Sequence, residues 1–484
     1  MKITGNLQKD ADRVNKILSS DDIITFFFYV SDRKAAVIYV DSISDKNALG
    51  EYVIRPLSRF NGVFSPETLA CAAEVTSVTT GEDTDGLVKE VLSGNPAVMV
   101  DGIKGFFSCD LKKFEARAVS EPPLQTVIKG PREGFNESIK TNVSLLRRRI
   151  RSENLKIKNL TVGRISRTAV SVVYVSSVAD DGLVKDITDR IESIDIDNVP
   201  DSSYIAKLIC PHEASIFKQM NTAEKPDVVT ARIMEGRVAV IVDGSPIVLT
   251  APYLIIEDFQ NPEDYYATTF RALLTRWIRF AAVSVAVLLP AFYVASELFH
   301  LQFLPLNFLL TIINSIKGIP MAPGFEMFFV LIIFEVLNEA STRMPKYAGM
   351  ALSVVGALVL GETAVHAGIV STPAILIMSL SAISLYTVPE TVETMSLIRI
   401  VMLIIAGAAG GYGIILTIIF ILAYLCSLES FGVPILSPYA PNVPADHKDA
   451  LYVAPLSEMN TRPLSFKQKN KWRFSLAKNA EKKD

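Results

Sequence analysis

Short apolar runs alternate with amphipathic stretches along the first half of the chain. Residues 24–30 and 35–41 are rich in β-branched and aromatic residues and are bounded by polar turns, a pattern typical of strands. Residues 45–60 place apolar side chains at helical spacing and predict a helix. Because such strands and helices alternate over residues 1–255, the pattern predicts an α/β fold.

The same pattern occurs twice. Residues 33–49 resemble 167–184, and residues 86–102 resemble 227–244. In each copy a helix ends at a glycine and the next strand ends at Asp-Gly, both of which favour positive φ. We therefore predict two homologous lobes. Their superposition should place Val37–Asp41 on Val172–Ser176, and Ala97–Gly102 on Ala239–Gly244.

The second half of the chain is apolar. Only 12 of the 99 Asp, Glu, Lys and Arg residues lie within residues 277–428. Residues 277–299 are long enough to cross a hydrocarbon core of about 30 Å, and the arginines at their start place that end in the cytoplasm. No signal peptide precedes the lobes, so we expect them to be cytoplasmic.

Further apolar stretches follow the first span. Residues 303–318 are amphipathic and predict an interfacial helix. The remaining candidate spans are 324–340, 347–369, 372–388 and 396–428. The last 20 residues carry seven Lys or Arg, which places the C-terminal tail in the cytoplasm. An even number of crossings is then required, so either 372–388 is re-entrant, which gives four crossings, or 396–428 contains a hairpin; we favour four.

These patterns predict a multidomain protein, with duplicated cytoplasmic α/β lobes followed by an α-helical multi-pass membrane domain. The predicted divisions are 1–115 for the first lobe, 116–154 for a connector with a basic helix, 155–260 for the second lobe, 270–430 for the transmembrane domain and 431–484 for the basic tail.

No set of residues typical of an enzyme is present. The four cysteines lie far apart and form no CxxC pair, and no phosphate loop, zinc-protease motif or nucleophile–base set occurs. A net charge of −3 gives no general case for nucleic-acid binding. We therefore expect a protein that is not an enzyme and that uses no metal, cofactor or nucleic acid.

Two clusters of charged residues are candidate functional sites. Arg147, Arg148, Arg149 and Arg151 indicate either a solvated helix face or contact with an acidic partner or anionic membrane lipid. In the membrane half, three charged residues lie at one-turn spacing and predict a structural ion pair: Glu335, Glu339 and Arg343.

The stretch 347–369 has two different faces. Its polar stripe predicts a pore lining, and its small-residue stripe predicts close helix packing. The pore-lining candidates are Val355, Val359, Glu362 and His366, and the packing residues are Gly349, Ser353, Gly356 and Ala364. A Glu–His hydrogen bond buried between helices is the alternative for the polar stripe.

Several segments carry a family resemblance that covers about residues 120–440, and the N-terminal lobe more weakly. They are PREGFNE (131–137), LLRRRI (145–150), KPDVVTARIMEGRVAVIVDGSP (225–246), NPEDYY (261–266), the Glu-Ala-x-x-Arg-x-Pro run at 339–345, SVVGALVLGETAVHAGIVS (353–371) and SFGVP (430–434). In their order and spacing the chain resembles the A subunits of GerA-type spore germinant receptors of endospore-forming bacteria.

The chain departs from the family pattern in several places, including a loop before Lys225 that is one residue longer and Cys210 where the family often has phenylalanine. Lys225 stands where the family usually has arginine, and Leu331 where it has glutamate. Glu362 stands where relatives often carry glutamine. A bidentate role for the arginine cannot be carried over to Lys225.

The resemblance implies a nutrient receptor in the spore inner membrane. It implies a homo-oligomer that forms an ion channel, a transporter-like B subunit that binds the nutrient, and a lipoprotein C subunit. A secondary ion or amino-acid transporter with its own substrate site is the alternative, since polar residues inside membrane helices fit both.

Overall fold

The computed structural model describes residues 1–113, 129–343, 356 and 359–473, and the chain forms two compact units. One unit is mostly Met1–Tyr253 and the other mostly Leu254–Leu428. The stretch expected as one basic tail, 431–484, is divided between them. Pro434–Pro455 belongs to the second unit, whereas the segment from Leu456 belongs to the first.

The first lobe of the α/β unit is a five-stranded antiparallel sheet in the order β1-β2-β4-β5-β3. Its strands are β1 (Ile23–Val30), β2 (Arg33–Val40), β3 (Val78–Gly81), β4 (Ala97–Val100) and β5 (Phe106–Cys109). Its helices are α1 (Leu7–Leu18), α2 (Lys46–Leu49), a π-helical turn (Gly50–Ile54), α3 (Arg55–Ser58), α4 (Pro66–Ala72) and α5 (Thr84–Leu92).

The second lobe repeats this sheet in the order β6-β7-β9-β10-β8. Its strands are β6 (Leu155–Val162), β7 (Thr168–Val175), β8 (Asn221–Ala223), β9 (Val238–Val242) and β10 (Val248–Ala251). Its helices are α6 (Ile139–Arg149), α7 (Asp181–Glu192), α8 (Ser202–Ile209) and α9 (Pro226–Met234).

Strand register confirms the predicted equivalence of the two lobes. Val37 pairs with Val98 in the first sheet, and Val172 pairs with Val240 in the second. The glycines of the repeated motif have matching backbone angles. Gly94 and Gly236, which follow a helix, have φ of +95° and +103°, and the glycines of the two Asp-Gly turns also have positive φ.

Each sheet is covered by helices on both faces. In β2, Ala36 and Ile38 pack with α1 and α5, whereas Ala35 and Val37 pack with the helical segment that begins at α2. Because side chains alternate along a strand, one apolar strand contributes to two cores. Strands β2 and β7, which each lie between two other strands, therefore carry almost continuous apolar runs.

A buried ion pair joins the lobes. Arg147, at the end of α6, is 1% exposed, and its guanidinium donates to both carboxylate oxygens of Asp22 at 2.8 Å. The backbones also meet, since the Asp21 amide donates to the Ile157 carbonyl. Arg147 therefore does not face a partner or a lipid, which corrects the expectation for this member of the basic cluster.

The other arginines of the cluster remain nearer the surface. Arg148 and Arg149 both pair with Glu133, and Arg151 is exposed. Burial alone would raise the pKa of Glu133, but hydrogen bonds and charge from the two arginines hold it below its usual value. Only Arg151 presents a charge without an ion pair in the described part of the cluster.

The second unit is helical. Its main helices are α10 (Thr269–Leu298), α11 (Leu306–Ile316), α12 (Pro323–Arg343), α13 (Thr372–Leu385) and α14 (Val392–Ser427). A π-helical turn spans Val359–Ala364, and short 3₁₀ helices include Ile255–Phe259, Pro262–Tyr265, Leu301–Phe303, Pro389–Thr391 and Pro444–Lys448. Two of the described helical segments, Thr269–Leu298 and Pro389–Ser427, are long and apolar enough to cross a membrane.

Helix α14 is interrupted at a glycine. Gly410 has φ of +57° and ψ of −146° inside an otherwise continuous 36-residue helix. A Cβ atom at this position would lie 2.8 Å from the Phe299 ring. Both the positive φ and the close approach of Phe299 favour glycine at the kink.

The Asp22–Arg147 pair provides a stability prediction. Replacing Asp22 with asparagine leaves the buried Arg147 guanidinium without a counter-charge, so Asp22→Asn should lower the free energy of unfolding by about 3–5 kcal/mol. Chemical denaturation of the full chain, followed by a spectroscopic signal from the α/β unit, measures this free energy. Asp21→Asn is the matched control, because Asp21 is exposed and an asparagine oxygen still accepts from the Asn159 amide. Equal effects of the two substitutions would contradict the assignment.

Candidate functional site

Four helices of the second unit meet at a buried polar cluster. Arg399 of α14 is 3% exposed, and its guanidinium lies 2.6 Å from a carboxylate oxygen of Glu335 on α12. The same guanidinium donates at 3.1 Å to the hydroxyl of Ser381 on α13. That hydroxyl in turn donates at 2.6 Å to the Ala286 carbonyl of α10. We call these residues the Arg399 cluster.

The Arg399 cluster corrects the ion pair expected from sequence. Glu339 does pair with Arg343 at 2.5 Å, but this pair is exposed, with 63% of the Glu339 side chain accessible. Glu335 instead accepts from Arg399 and from the Ser396 hydroxyl. Helical spacing shows only partners on the same helix, so it could not show an arginine 64 residues further along the chain.

Burial gives the two ion pairs different roles. An exposed i,i+4 pair contributes about 0.3–0.5 kcal/mol. A buried guanidinium is costly to desolvate, so the arrangement is stable only while its carboxylate and hydroxyl partners are in place. The Arg399 cluster therefore connects α10, α12, α13 and α14.

A second buried arginine anchors the start of α10. Arg276 is fully buried, and its guanidinium lies 3.3 Å from Asp264 and 3.1 Å from Asp449. Arg279 makes two further hydrogen bonds to Asp264, at 2.8 and 2.9 Å. The Asp264 carboxylate lies in the segment 261–266 and holds it against the helix. Arg276 and Arg279, which lie at the start of the first predicted span, are thus both ion-paired.

The predicted pore stretch is only partly described. Gly349, Ser353 and Val355 lie outside the described residues, and the backbone of Val359 begins the π-helical turn. Glu362 and His366 are exposed. Their assignment as pore-lining residues stays a prediction.

Two packing candidates of the same stretch do contact the bundle. A Cβ atom at Gly356 would lie 2.9 Å from the end of the Leu337 side chain of α12, so a larger residue here would have to displace that side chain. Ala364 packs on the apolar core that includes Val330 and Met378. Where it is described, the stretch thus has a small-residue face against other helices and a polar face with Glu362 and His366.

Comparison with known proteins places these features in a family. A family model described as the Bacillus/Clostridium GerA spore germination protein matches residues 12–465. The chain is 35% identical to "Spore germination protein KA" of Bacillus subtilis (strain 168), over 97% of this chain and 88% of that protein. It is 32% identical to "Uncharacterized membrane protein YfkQ" of the same organism, over 97% and 93%.

A solved structure also matches. It is the crystal structure of the N-terminal domain of the A subunit of the Bacillus megaterium spore germinant receptor GerK3, which is 28% identical. The match covers 53% of this chain and 98% of that domain, with a TM-score of 0.43.

The contrast between the two ion pairs of α12 is testable. Glu335→Gln leaves the Arg399 guanidinium without its charged partner and should lower the free energy of unfolding by about 3 kcal/mol, the low end for a buried pair because Glu335 is partly exposed. Thermal and detergent-induced unfolding of the purified chain measures the loss. Glu339→Gln, one turn away, should cost less than about 0.5 kcal/mol. A larger loss in Glu339→Gln than in Glu335→Gln would refute the assignment.

Proposed function

The chain belongs to the GerA family of Bacillus and Clostridium spore germination proteins, and on this basis we propose that it is the A subunit of a nutrient germinant receptor. The subunit oligomerises into a nutrient-gated ion channel that starts germination. The single observation that carries the proposal is the family match over residues 12–465, which includes both units.

A multi-pass position in the spore inner membrane, with the α/β lobes in the cytoplasm, is part of the proposal. Thirty helical residues in α10 extend about 45 Å, longer than a hydrocarbon core. Helix α14 exposes large apolar side chains along its length, among them Ile404, Ile415 and Phe420. Such continuous apolar surface is unfavourable in water and suited to lipid.

The two faces of the pore stretch support the channel. Its small residues at 356 and 364 contact the bundle, so the polar face with Glu362 and His366 is free to meet an axis shared by several copies. A ring of Glu362 carboxylates at that axis attracts cations, and apolar rings of Val355 and Val359 close the pore by dewetting.

The partners in the proposed receptor are a transporter-like B subunit that binds nutrient and a lipoprotein C subunit.

A secondary transporter with its own substrate site is the second candidate, and the buried polar groups of the Arg399 cluster are the feature in its favour. Polar groups buried within one chain are typical of transporter interiors. In the Arg399 cluster, however, the carboxylate, guanidinium and Ser381 hydroxyl bond to one another. Substrate uptake by the chain alone, reconstituted in vesicles, would favour the transporter over the channel.

The channel proposal predicts a leak in Val359→Ala. A smaller side chain widens the apolar constriction, so spores with this variant should release monovalent cations without nutrient, whereas spores with the unchanged chain should not. Flame photometry of the spore supernatant measures the release. Thr363→Ser, which removes one methyl group on the same turn, is the control. Unchanged release in Val359→Ala would remove this residue from the pore.

The proposed ring of Glu362 carboxylates predicts that a substitution at this residue changes the ion selectivity of the channel. Glu362→Gln removes the carboxylate ring and should reduce, but not abolish, the preference for cations, since relatives carry glutamine there. Reversal potentials of the reconstituted receptor in a bilayer measure the preference, and Glu362→Asp, which keeps the charge, should retain it. An unaltered reversal potential in Glu362→Gln would contradict a pore position.

A further inference from the structure

Two carboxylates lie inside the helical unit, near the end of α10 and the beginning of α12. Glu326 of α12 is fully buried, and one of its oxygens accepts the backbone N–H of Ser371 at 2.5 Å. Its other oxygen and both oxygens of Glu297 on α10 are also buried, and they make no hydrogen bond to any residue that the structure describes. Three carboxylate oxygens are therefore available inside the protein.

A tyrosine hydroxyl lies at the same place. Tyr293 lies one helical turn before Glu297 on α10, and Tyr293 is only 6% exposed. The hydroxyl interacts with Glu297 and Ser371 but forms no hydrogen bond of regular geometry within the described chain. The two carboxylates also act on each other electrostatically. We call Tyr293, Glu297 and Glu326 the glutamate site.

The glutamate site differs from three buried arginines in the described part of the chain. Arg147, Arg276 and Arg399 each have a carboxylate partner within 3.3 Å. No lysine or arginine in the described ranges forms an ion pair or hydrogen bond with Glu297 or Glu326. Two charged carboxylates without a counter-charge are unfavourable in an apolar interior, so this site needs positive charge, which protons or a bound cation can supply.

We propose that the glutamate site binds a hard divalent cation, for which Ca²⁺ is the best candidate. The available donors are all oxygens, which suit Ca²⁺ or Mg²⁺ better than zinc or copper. Two carboxylates balance a charge of +2. Ca²⁺ accepts irregular coordination, whereas Mg²⁺ requires near-octahedral geometry, so three side chains on two helices fit Ca²⁺ better.

The ligand set also sets the expected affinity. No third carboxylate, histidine or cysteine joins the two glutamates within the described residues, so water completes the coordination. Sites with few charged ligands bind Ca²⁺ in the range of about 10⁻⁴–10⁻³ M. A bound cation would tie α10 to α12 and, through the Ser371 amide on Glu326, to the start of α13. Ca²⁺ should therefore stabilise the bundle.

Calcium titration of the purified full chain in detergent, after treatment with EDTA, tests this site. We expect one Ca²⁺ per chain by calorimetry and a rise in the unfolding midpoint with added Ca²⁺. Glu297→Gln and Glu326→Gln should each weaken the apparent affinity by at least about tenfold. Glu339→Gln, an exposed glutamate of the same helix, is the charge-matched control and should bind as the unchanged chain does.

Several results would overturn the proposal. They are no stabilisation by Ca²⁺, an equal affinity in the glutamine variants and the control, or the same response to K⁺ at matched ionic strength. If both glutamine variants fail to fold, Tyr293→Phe decides, because it keeps both carboxylates and removes only the hydroxyl. It should weaken Ca²⁺ binding, and an unchanged affinity in that variant would be evidence against the site. The test does not depend on germination, so it can fail while the proposed function stands.

Discussion

A buried guanidinium must keep its carboxylate, and this constraint governs both units of the chain. Arg147 with Asp22 joins the two lobes, Arg276 with Asp264 anchors the start of α10, and Arg399 with Glu335 joins the helices of the bundle. Each pair is costly to desolvate and is favourable only because its ionic contact and hydrogen bonds offset that cost. Elements distant in sequence are therefore fixed against one another at three points.

The duplicated lobes show how much of the fold a local pattern determines. Strand and helix positions follow from apolar periodicity, and the repeated glycine and Asp-Gly positions reveal the duplication because each needs a positive φ. The sheet order then repeats strand for strand. In the helical unit a positive φ again coincides with glycine, since α14 kinks at Gly410.

The candidate site was harder to predict because its partners are distant in the sequence. Glu335 has a possible partner one turn away on its own helix, yet it pairs with Arg399 of another helix. Arg147 belongs to a basic run that resembles a solvated surface, yet it alone of the run is fully buried. Periodicity identifies which face of a helix is polar, but which neighbour supplies the counter-charge depends on tertiary packing.

The helical unit has two different polar regions, one inside the bundle and one on its surface. The Arg399 cluster holds four helices together, while the polar face of the 359–366 turn contributes charge that the bundle itself does not use. If several copies assembled with this face toward a common axis, their helical bundles would surround a pore. Family membership and the apolar surface of α14 support this arrangement in a membrane.

The oligomeric mass of the purified chain in detergent, with and without its receptor partners, tests the central claim most directly. Light scattering with the detergent contribution subtracted gives the number of chains in each particle. The account predicts a closed ring of several copies with one defined stoichiometry. A chain that stays monomeric or dimeric, alone and with its partners, would contradict a channel formed around a shared axis.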